Sequence, residues 1–271
     1  MSVQSPQFSI LIHYSEIGLK KNNRRYFERQ FIQNISKHLK NLKHKRIRLI
    51  SARVLVENIN PNDWNLFEQR LNNVMGLSSA ILMIETKSDL NEIKGAIDYL
   101  IDDRKFDSFR VTTKRHYKEF NKTSIEVNVE LGAYIQDQTK KKVKLSNADL
   151  NIIIEILKDK TYTGHHRVVG FSGLPSSSQE KAISLLSSGI DSPVASFEMI
   201  KRGVCLSFMH FHSYPAVSKQ SIENVKELVK VLTQYQLNST LYCVPLLDVQ
   251  EKIMQSVPDK FWVIFFRRAM L

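Results

Sequence analysis

The chain has 271 residues, enough for two or three compact domains, and its 42% hydrophobic and 24% charged residues argue against overall disorder. Its net charge of +12 predicts a polyanionic partner, with nucleic acid favoured over a membrane surface. The sequence has no run of about 18 apolar residues that would span a bilayer and no signal-peptide layout in its first thirty residues. We therefore expect a cytoplasmic protein without a membrane partner.

The first block of the chain has the order of elements typical of a small α+β domain. Apolar residues that recur every four positions from Phe27 to Leu39 predict a helix, and the apolar run before them predicts a strand. The predicted strand, helix, strand pair, helix and strand cover residues 8–14, 22–39, 47–59, 63–75 and 80–85. This is the split βαβ order of a ferredoxin-like unit. We expect that domain over residues 1–76, with Gly76 ending its second helix.

A second block of mixed elements is expected over residues 77–168. Asp89 is predicted to cap one helix, and Ser124 is predicted to cap another. The predicted strands cover residues 109–113, 142–145 and 150–156. Glycine, proline and serine are concentrated in residues 169–178, which we expect to form a linker between domains.

The third block, residues 179–271, alternates strand and helix. An apolar run over residues 182–186 predicts a buried strand, and Pro193 is expected at the first position of the helix that follows it. Gly203 is expected to end this helix, before a second apolar strand over residues 204–211. Such βαβ alternation predicts an α/β domain built on a doubly wound parallel sheet.

A short polar loop, residues 187–192, lies between that first strand and its helix. Its small residues let the backbone approach an anion, and a helix N-terminus presents free N–H groups and the positive end of a dipole. The loop therefore predicts a phosphate site, although the same composition also fits an ordinary serine-capped turn. It is neither a Walker loop nor a GxGxxG motif. Its position at the carboxyl end of a parallel strand favours ligand binding.

Metal and redox chemistry have little support in the sequence. His210 and His212 form an HxH pair, but no Asp, Glu or Cys stands close by in the sequence to complete a zinc set. Cys205 and Cys243 are the two cysteines, and their separation excludes a CxxC site. We expect the histidines to border a nucleotide or simply to end a strand.

Several segments, taken in order, resemble one enzyme family. The loop SSGIDS is similar to the SGGxDS signature of PP-loop ATP pyrophosphatases, and its surroundings LLSSGIDSPVA, MIKRG and HFHS resemble tRNA 4-thiouridine sulfurtransferase. Further segments resemble other parts of that family. YSEIGLK at 14–20 with NR at 23–24 resembles its ferredoxin-like domain, and KR at 114–115, Phe120 and SIEVN at 124–128 resemble its THUMP domain. GLP at 173–175 resembles its linker, and FRRAM at 266–270 resembles its arginine helix. The resemblance implies an α+β N-terminal half, formed by a ferredoxin-like unit and a THUMP domain, followed by an α/β PP-loop domain.

The resemblance also implies a site for ATP and Mg²⁺. Phosphates would be held by the loop residues Ser187, Ser188, Gly189, Asp191 and Ser192. The other nucleotide-binding residues implied are Leu185, Leu186, His210, Phe211 and Arg267. Asp191 is the carboxylate expected to assist Mg²⁺ indirectly, with a plain acidic helix cap as the alternative.

Basic residues before the loop are expected to bind tRNA. The candidates are Lys20, Lys21, Arg24, Lys114, Arg115, Lys140 and Lys141. Phosphate contacts by such side chains make affinity dependent on salt and on RNA shape. Any one of these clusters also fits a solvated face, but together with the net charge of +12 they favour RNA binding.

Two departures from the family pattern affect the expected activity. Ser188 stands where the signature has glycine, so a positive φ there would cost about 1–2 kcal/mol and weaken ATP binding. The family also continues past its arginine helix to a cysteine that carries persulfide sulfur, whereas this sequence stops at Leu271. We therefore expect a truncated chain, an incomplete PP-loop domain and a sulfur-carrying cysteine beyond Leu271.

By resemblance, the function is ATP-dependent tRNA sulfur transfer. Such an enzyme adenylates uridine 8 of tRNA, releases pyrophosphate and replaces the oxygen with sulfur to give 4-thiouridine. The expected partners are tRNA, a persulfide donor such as a cysteine desulfurase, a sulfur-carrier protein for thiamine thiazole synthesis, and a second copy in a homodimer. Two other functions stay open: an inactive tRNA-binding protein with an ATP-domain remnant, and a different PP-loop ligase.

Overall fold

The computed structural model describes residues 6–102 and 104–271. Over these residues the chain forms two compact units. The first extends to Asn72 and resumes over Leu77–Ser172, and the second consists of Asn73–Gly76 and Gly173–Leu271. Within the described residues, no helix is both long enough and apolar enough to cross a membrane.

The first unit is built on one large sheet. Its strands are β1 (Gln7–Tyr14), β2 (Arg46–Ile50), β3 (Arg53–Ile59), β4 (Leu77–Thr86), β5 (Ser108–Arg115), β6 (Lys142–Val143), β7 (Leu150–Ile156) and β8 (Thr161–Val169). They lie in the order β2-β3-β1-β4-β8-β7-β5-β6. β5 pairs in parallel with β7 and β6, and the other neighbours are antiparallel. The ferredoxin-like strands and the later strands therefore share a continuous sheet.

Four helices pack on this sheet. They are α1 (Arg24–His38), α2 (Trp64–Leu71), α3 (Leu90–Ile101) and α4 (Ser124–Thr139). Phe27, Phe31 and Ile35 are buried on α1, as their four-residue spacing predicts. α3 and α4 contribute Ile97 and Leu131 to a core shared with the buried residues of β5 and β7.

The starts of α3 and α4 test the predicted caps. Asp89 caps α3, since its carboxylate accepts hydrogen bonds from two backbone N–H groups of the first turn. The cap predicted at Ser124 is wrong by one residue. Thr123 caps α4 through the N–H of Glu126, and the Glu126 carboxylate accepts from the Thr123 N–H in return. This capping box needs an acidic residue three positions after the cap, and Thr123 has that spacing.

Two further features around β4 and β8 differ from the sequence-based expectations. Gly76 does not end α2 directly; α2 ends at Leu71, and Gly76 takes φ +92° just before β4. Strand β8 was not predicted, because its glycine and two histidines interrupt the apolar alternation. Gly164 is required there, since a Cβ would lie 2.1 Å from the carbonyl oxygen of Leu82 on the neighbouring strand.

The segment expected to be a linker is packed rather than free. β8 runs through Val169, and the following residues to 180 form neither helix nor strand. Leu174, Ser176 and Ser178 are nevertheless buried, and the N–H of Leu174 donates to the carbonyl oxygen of Lys201 at 2.9 Å. Residues from Gly173 onward therefore belong to the second unit.

The second unit contains a parallel sheet of β9 (Lys181–Leu185), β10 (Cys205–His212) and β11 (Leu241–Pro245), in the order β11-β10-β9. Its helices are α5 (Asp191–Lys201), α6 (Gln220–Gln236), α7 (Leu247–Ser256) and α8 (Trp262–Ala269). α5 and α6 contribute Ile200 and Val225 to the core that contains Phe208 of β10. This confirms the predicted parallel α/β arrangement.

The ends of α5 correct one prediction and confirm another. The helix begins at Asp191, so Pro193 occupies its third position rather than its first. Proline is tolerated there because the N–H groups of the first turn have no partner within the helix. Gly203 follows the end of the helix with φ +89°, as expected for a glycine terminator.

Helix α7 was not predicted from the sequence.

Candidate functional site

The loop after β9 is held by its own serine side chains. The backbone N–H of Ser187 donates to Oγ of Ser192 at 2.9 Å, and the two Oγ atoms lie 3.0 Å apart. The N–H of Gly189 donates to Oγ of Ser187 at 3.3 Å. These bonds join the end of β9 to the first turn of α5 and give the loop a defined shape.

The backbone at Ser188 carries no left-handed strain. Ser188 is absent from the residues of the described chain that have positive φ, and Gly189 is absent as well. The cost expected for serine at this position of the signature therefore does not arise. A Cβ on Gly189 would meet only Oγ of Ser187, at 3.5 Å, so the space beyond the loop is open.

The start of α5 fits an anionic group such as a phosphate. No side chain caps this helix, and residues 187–191 are exposed. Uncapped N–H groups and the positive end of the helix dipole therefore face solvent at the carboxyl end of β9. Asp191 is exposed in the same turn. Its negative charge would repel a phosphate unless a cation lay between them.

Below the loop, His210 connects β10 to β9. Its Nδ1 donates to the carbonyl oxygen of Leu186 at 2.9 Å, while its Nε2 is buried and has no partner within the described residues. The side chain of Leu186 lies in the core with Phe208, and its backbone N–H donates to the carbonyl oxygen of Met209 at 2.8 Å. Leu185 is 45% exposed, and Phe211 is partly buried at the end of β10.

A second serine pair supports the loop and was not singled out by sequence. Oγ of Ser196 donates to the carbonyl oxygen of Ser192 at 2.7 Å, and Oγ of Ser184 lies 2.7 Å from Oγ of Ser196. Ser196 is buried and lies one helical turn after Ser192. The spacing of four residues on a helix was the signal available in the sequence.

The expected place of Arg267 in a nucleotide pocket stays a prediction. Arg267 and Arg268 are exposed on α8, a helix that packs against α7. The described residues show no hydrogen bond or ion pair between Arg267 and residues 187–192. They also contain no group of three or more His, Cys, Asp or Glu side chains that could hold a metal ion. A cation at the loop would therefore depend on Asp191 and on ligand oxygens.

The N-terminal candidates for RNA binding differ in their freedom. Nε of Arg24 donates to Glu28 at 2.8 Å, and its Nη2 donates to Oη of Tyr14 at 2.8 Å. Burial of Tyr14 and its hydrogen bond to Glu28 raise the pKa of Tyr14 to about 12. Nζ of Lys20 lies 5.0 Å from the ring centroid of Phe27. Lys21 is exposed. Because Arg24 makes hydrogen bonds to two side chains, it is the most constrained of these three candidates.

The candidates in the second block are divided in the same way. Nη1 of Arg115 donates to the carbonyl oxygens of Phe120 and Lys122, at 3.0 and 3.1 Å, and so supports the loop before α4. Nζ of Lys141 lies 3.3 Å from Asp107. Lys114 and Lys140 are exposed. Of these two, only Lys114 has an ion pair within the described residues, with Nζ 3.9 Å from Oε1 of Glu155, so Lys140 can reach a phosphate without breaking one.

The first unit also contains a buried carboxylate that the sequence analysis missed. Glu155 lies on β7 with no exposed surface and contacts Arg53 and His13. A single acid within the isoleucine-rich sequence NIIIEI was the signal available. A charged side chain on a buried strand requires a partner of opposite charge.

Comparison with known families matches the three blocks in order. A family model described as "ThiI ferredoxin-like domain" matches residues 9–80, and one described as "THUMP domain" matches residues 87–164. A model described as "Thiamine biosynthesis protein (ThiI)" matches residues 177–271. A probable tRNA sulfurtransferase of Moorella thermoacetica is 36% identical over 263 residues, which cover 97% of this chain and 67% of that protein. The chain belongs to the tRNA sulfurtransferase family.

Other members and solved structures agree with this family. A probable tRNA sulfurtransferase of Listeria welshimeri is 33% identical over 97% of this chain and 66% of its own length. A crystal structure of a 4-thiouridine synthetase in complex with RNA and bound ATP has 31% identity and a TM-score of 0.83, over 98% of this chain and 69% of that one. PH1313 from Pyrococcus horikoshii shares the fold, with a TM-score of 0.74, 22% identity and coverage of 97% and 100% of the two chains.

These matches confirm the predicted fold class, with ferredoxin-like and THUMP domains before a parallel-sheet ThiI domain. The expected boundaries at residues 76, 168 and 178 stay predictions. The chain spans about two thirds of the length of the tRNA sulfurtransferases that it matches.

Proposed function

We propose that this chain contains the RNA-binding and ATP-binding parts of an ATP-dependent tRNA sulfurtransferase. The observation that supports ATP binding is the uncapped N-terminus of α5, which follows a serine loop at the carboxyl edge of a parallel sheet. This loop lies within the region that matches the ThiI family. The names of the relatives supply tRNA as the substrate class, and the net charge of +12 fits such a partner.

The proposed reaction exchanges oxygen for sulfur at uridine 8. The uridine carbonyl oxygen attacks the α-phosphorus of ATP, and pyrophosphate leaves. The terminal sulfur of a persulfide then attacks C4 of the uridine, and the oxygen leaves in AMP. A second thiol attacks the inner sulfur and breaks the S–S bond, which releases 4-thiouridine and leaves a disulfide. Ser187, Ser192 and the first N–H groups of α5 would hold phosphate oxygens. Mg²⁺ would neutralise phosphate charge, with Asp191 as its indirect protein partner.

The first unit would bind the tRNA. Its exposed lysines Lys21 and Lys140 are available for phosphate contacts, whereas Lys114, Arg24 and Arg115 would first have to leave their present partners. The other proposed components are a persulfide donor such as a cysteine desulfurase, a sulfur-carrier protein that links the enzyme to thiazole synthesis, and a homodimeric assembly. Such a tRNA-modifying enzyme would act in the cytoplasm.

Filter binding with an unmodified tRNA transcript tests the RNA part of the proposal. The logarithm of the association constant should fall linearly with the logarithm of the salt concentration, because each phosphate contact releases counterions. A DNA duplex of equal length is the control, and it should bind more weakly than tRNA because A-form shape and the 2′-hydroxyl are absent. Absent or salt-insensitive tRNA binding would contradict the proposal.

Exchange of labelled pyrophosphate into ATP tests the adenylation step. Exchange that requires tRNA supports activation of a uridine. Binding of tRNA without ATP binding or exchange would instead support the alternative of an inactive tRNA-binding protein. ATP binding and exchange that do not depend on tRNA would favour a different PP-loop ligase.

A further inference from the structure

One buried carboxylate contacts basic side chains from both halves of the first unit. Nε of Arg53 donates to Oε2 of Glu155 at 2.6 Å, and Nε2 of His13 lies 2.8 Å from Oε1. Nε2 of His116 lies 3.4 Å from Oε2, and Nζ of Lys114 lies 3.9 Å from Oε1. Arg53 and His13 come from the ferredoxin-like part, while the other three residues come from the THUMP part. We call this group the Glu155 cluster.

The Glu155 cluster can form only because the sheet curls. β1, which carries His13, is separated from β7, which carries Glu155, by β4 and β8. Three interstrand steps of about 4.8 Å would place these strands about 14 Å apart in a flat sheet. The two side chains instead meet at 2.8 Å, so β1 and β7 are drawn toward each other on this face of the sheet. Apolar residues fill the space between them, namely Leu11, Leu55, Ile81, Met83, Ile153, Leu157 and Tyr162.

The buried charges of the cluster hold the sheet at this one curvature. Glu155 has no exposed surface, and Arg53 is 9% exposed. Burial raises the pKa of Glu155, but hydrogen bonds from His116 and His13 and the positive charge of Arg53 outweigh it and hold the pKa well below its usual range. The carboxylate is therefore charged. Opening the curl would leave an unpaired charge on each side, which is far more costly than sliding one apolar surface over another.

The candidate RNA-binding lysines lie on both of the parts that the cluster joins. Lys21 belongs to the ferredoxin-like part, whereas Lys114 and Lys140 belong to the THUMP part. A folded RNA is stiff, so lysines on two parts can contact it together only at one relative orientation of those parts. Lys114 itself lies at the edge of the cluster.

We propose that Glu155 is a positioning residue for RNA binding, which fixes the ferredoxin-like and THUMP parts at the orientation that one RNA requires. The inference rests on the proposed function, since it assumes that both parts bind the same RNA. Glu155 itself is buried and does not contact RNA. Its effect on affinity passes through Arg53 and His13.

Simple charge effects and positioning predict opposite results for one substitution. Glu155→Gln removes a negative charge, so electrostatic attraction alone would strengthen binding to a polyanion. A positioning role predicts weaker RNA binding instead, because the glutamine amide of this variant cannot form an ion pair with Arg53. Arg53→Lys is the second variant: it keeps the charge but loses the fixed geometry of the guanidinium, and positioning predicts weaker binding here too.

The experiment is filter binding of the whole chain to an unmodified tRNA transcript, with the active fraction titrated at stoichiometric concentrations. Both variants should bind about tenfold more weakly, as expected when a residue acts on a ligand through its neighbours. The dependence of affinity on salt should change little, because no phosphate contact is lost. A merely destabilised protein would show a smaller active fraction with an unchanged Kd. Asp159→Asn is the matched control, since it removes an exposed acid from the β7–β8 turn and should not weaken binding.

The outcomes separate this inference from the proposed function. If the unsubstituted chain does not bind tRNA, the proposed function fails and the inference falls with it. If the chain binds tRNA and both variants bind as tightly or more tightly, the positioning role alone is overturned. If one variant does not fold, the other decides, because Arg53→Lys and Glu155→Gln disturb the cluster from opposite sides.

Discussion

Ser192→Ala should weaken ATP binding without unfolding the second unit. The hydroxyl of Ser192 accepts the N–H of Ser187 at 2.9 Å and lies 3.0 Å from its Oγ. Without this hydroxyl the start of the loop is no longer held in place, so ordering it around ATP costs about 1 kcal/mol of binding free energy. A lost hydrogen bond to a phosphate oxygen adds about 1.5 kcal/mol, because such bonds are charge-assisted. The combined loss predicts binding that is roughly 50- to 100-fold weaker.

Isothermal titration calorimetry with ATP and Mg²⁺ measures this effect. Ser192→Thr keeps the hydroxyl and should retain most of the affinity, while Ser256→Ala removes an exposed serine at the end of α7 and should change nothing. The melting temperature of Ser192→Ala should stay close to that of the unsubstituted chain, because the loop is exposed and water can replace the lost bond. An ATP affinity within twofold of the unsubstituted chain would refute the reasoning.

Three further predictions concern stability and are checked by thermal or chemical unfolding. Thr123→Ala should destabilise the first unit by about 1 kcal/mol and lower its melting temperature by about 2–4 °C, while Ser124→Ala should change it by less than half as much; equal effects would contradict the observed cap. Glu155 is held below its ordinary pKa of 4.5, so below that pH the unfolded chain binds more protons than the folded chain. As the pH is lowered below 4.5, the free energy of unfolding should therefore decrease more steeply in the unsubstituted chain than in Glu155→Gln; parallel curves of stability against pH would contradict this. Gly203→Ala should destabilise the second unit by about 2–4 kcal/mol, because φ is +89° and the new Cβ would lie 2.5 Å from a serine hydroxyl oxygen, whereas Gly18→Ala meets nothing within 4 Å and is the control.

The nucleotide loop shows how far sequence reasoning reached. Its small residues and its place between strand and helix predicted a phosphate site, and the structure has the uncapped helix start that such a site needs. The strain expected at Ser188 was not found, because backbone torsion at one position depends on how the whole turn closes. The support from Ser196 was missed as well. Its hydrogen bond to the Ser192 carbonyl oxygen exists only once α5 is formed.

The candidate RNA-binding residues show a different limit. Composition and clustering identify where lysine and arginine accumulate, but not which of them already have partners. Arg24 and Arg115 are engaged with Tyr14 and with backbone carbonyl oxygens, whereas Lys21 remains exposed. An arginine side chain reaches far along the surface, so its partner is set by the fold.

The sequence by itself determined the order of the domains, the fold class and most helices and strands, because apolar periodicity and cap residues act over a few neighbouring positions. Only the tertiary structure decided that the ferredoxin-like and THUMP strands form one curled sheet, and that Glu155 meets Arg53 inside it. These two residues are 102 positions apart. Contacts at such separation depend on strand order and curvature, which local patterns do not encode. The βαβ alternation around the serine loop belongs to the first class, and the Glu155 cluster belongs to the second.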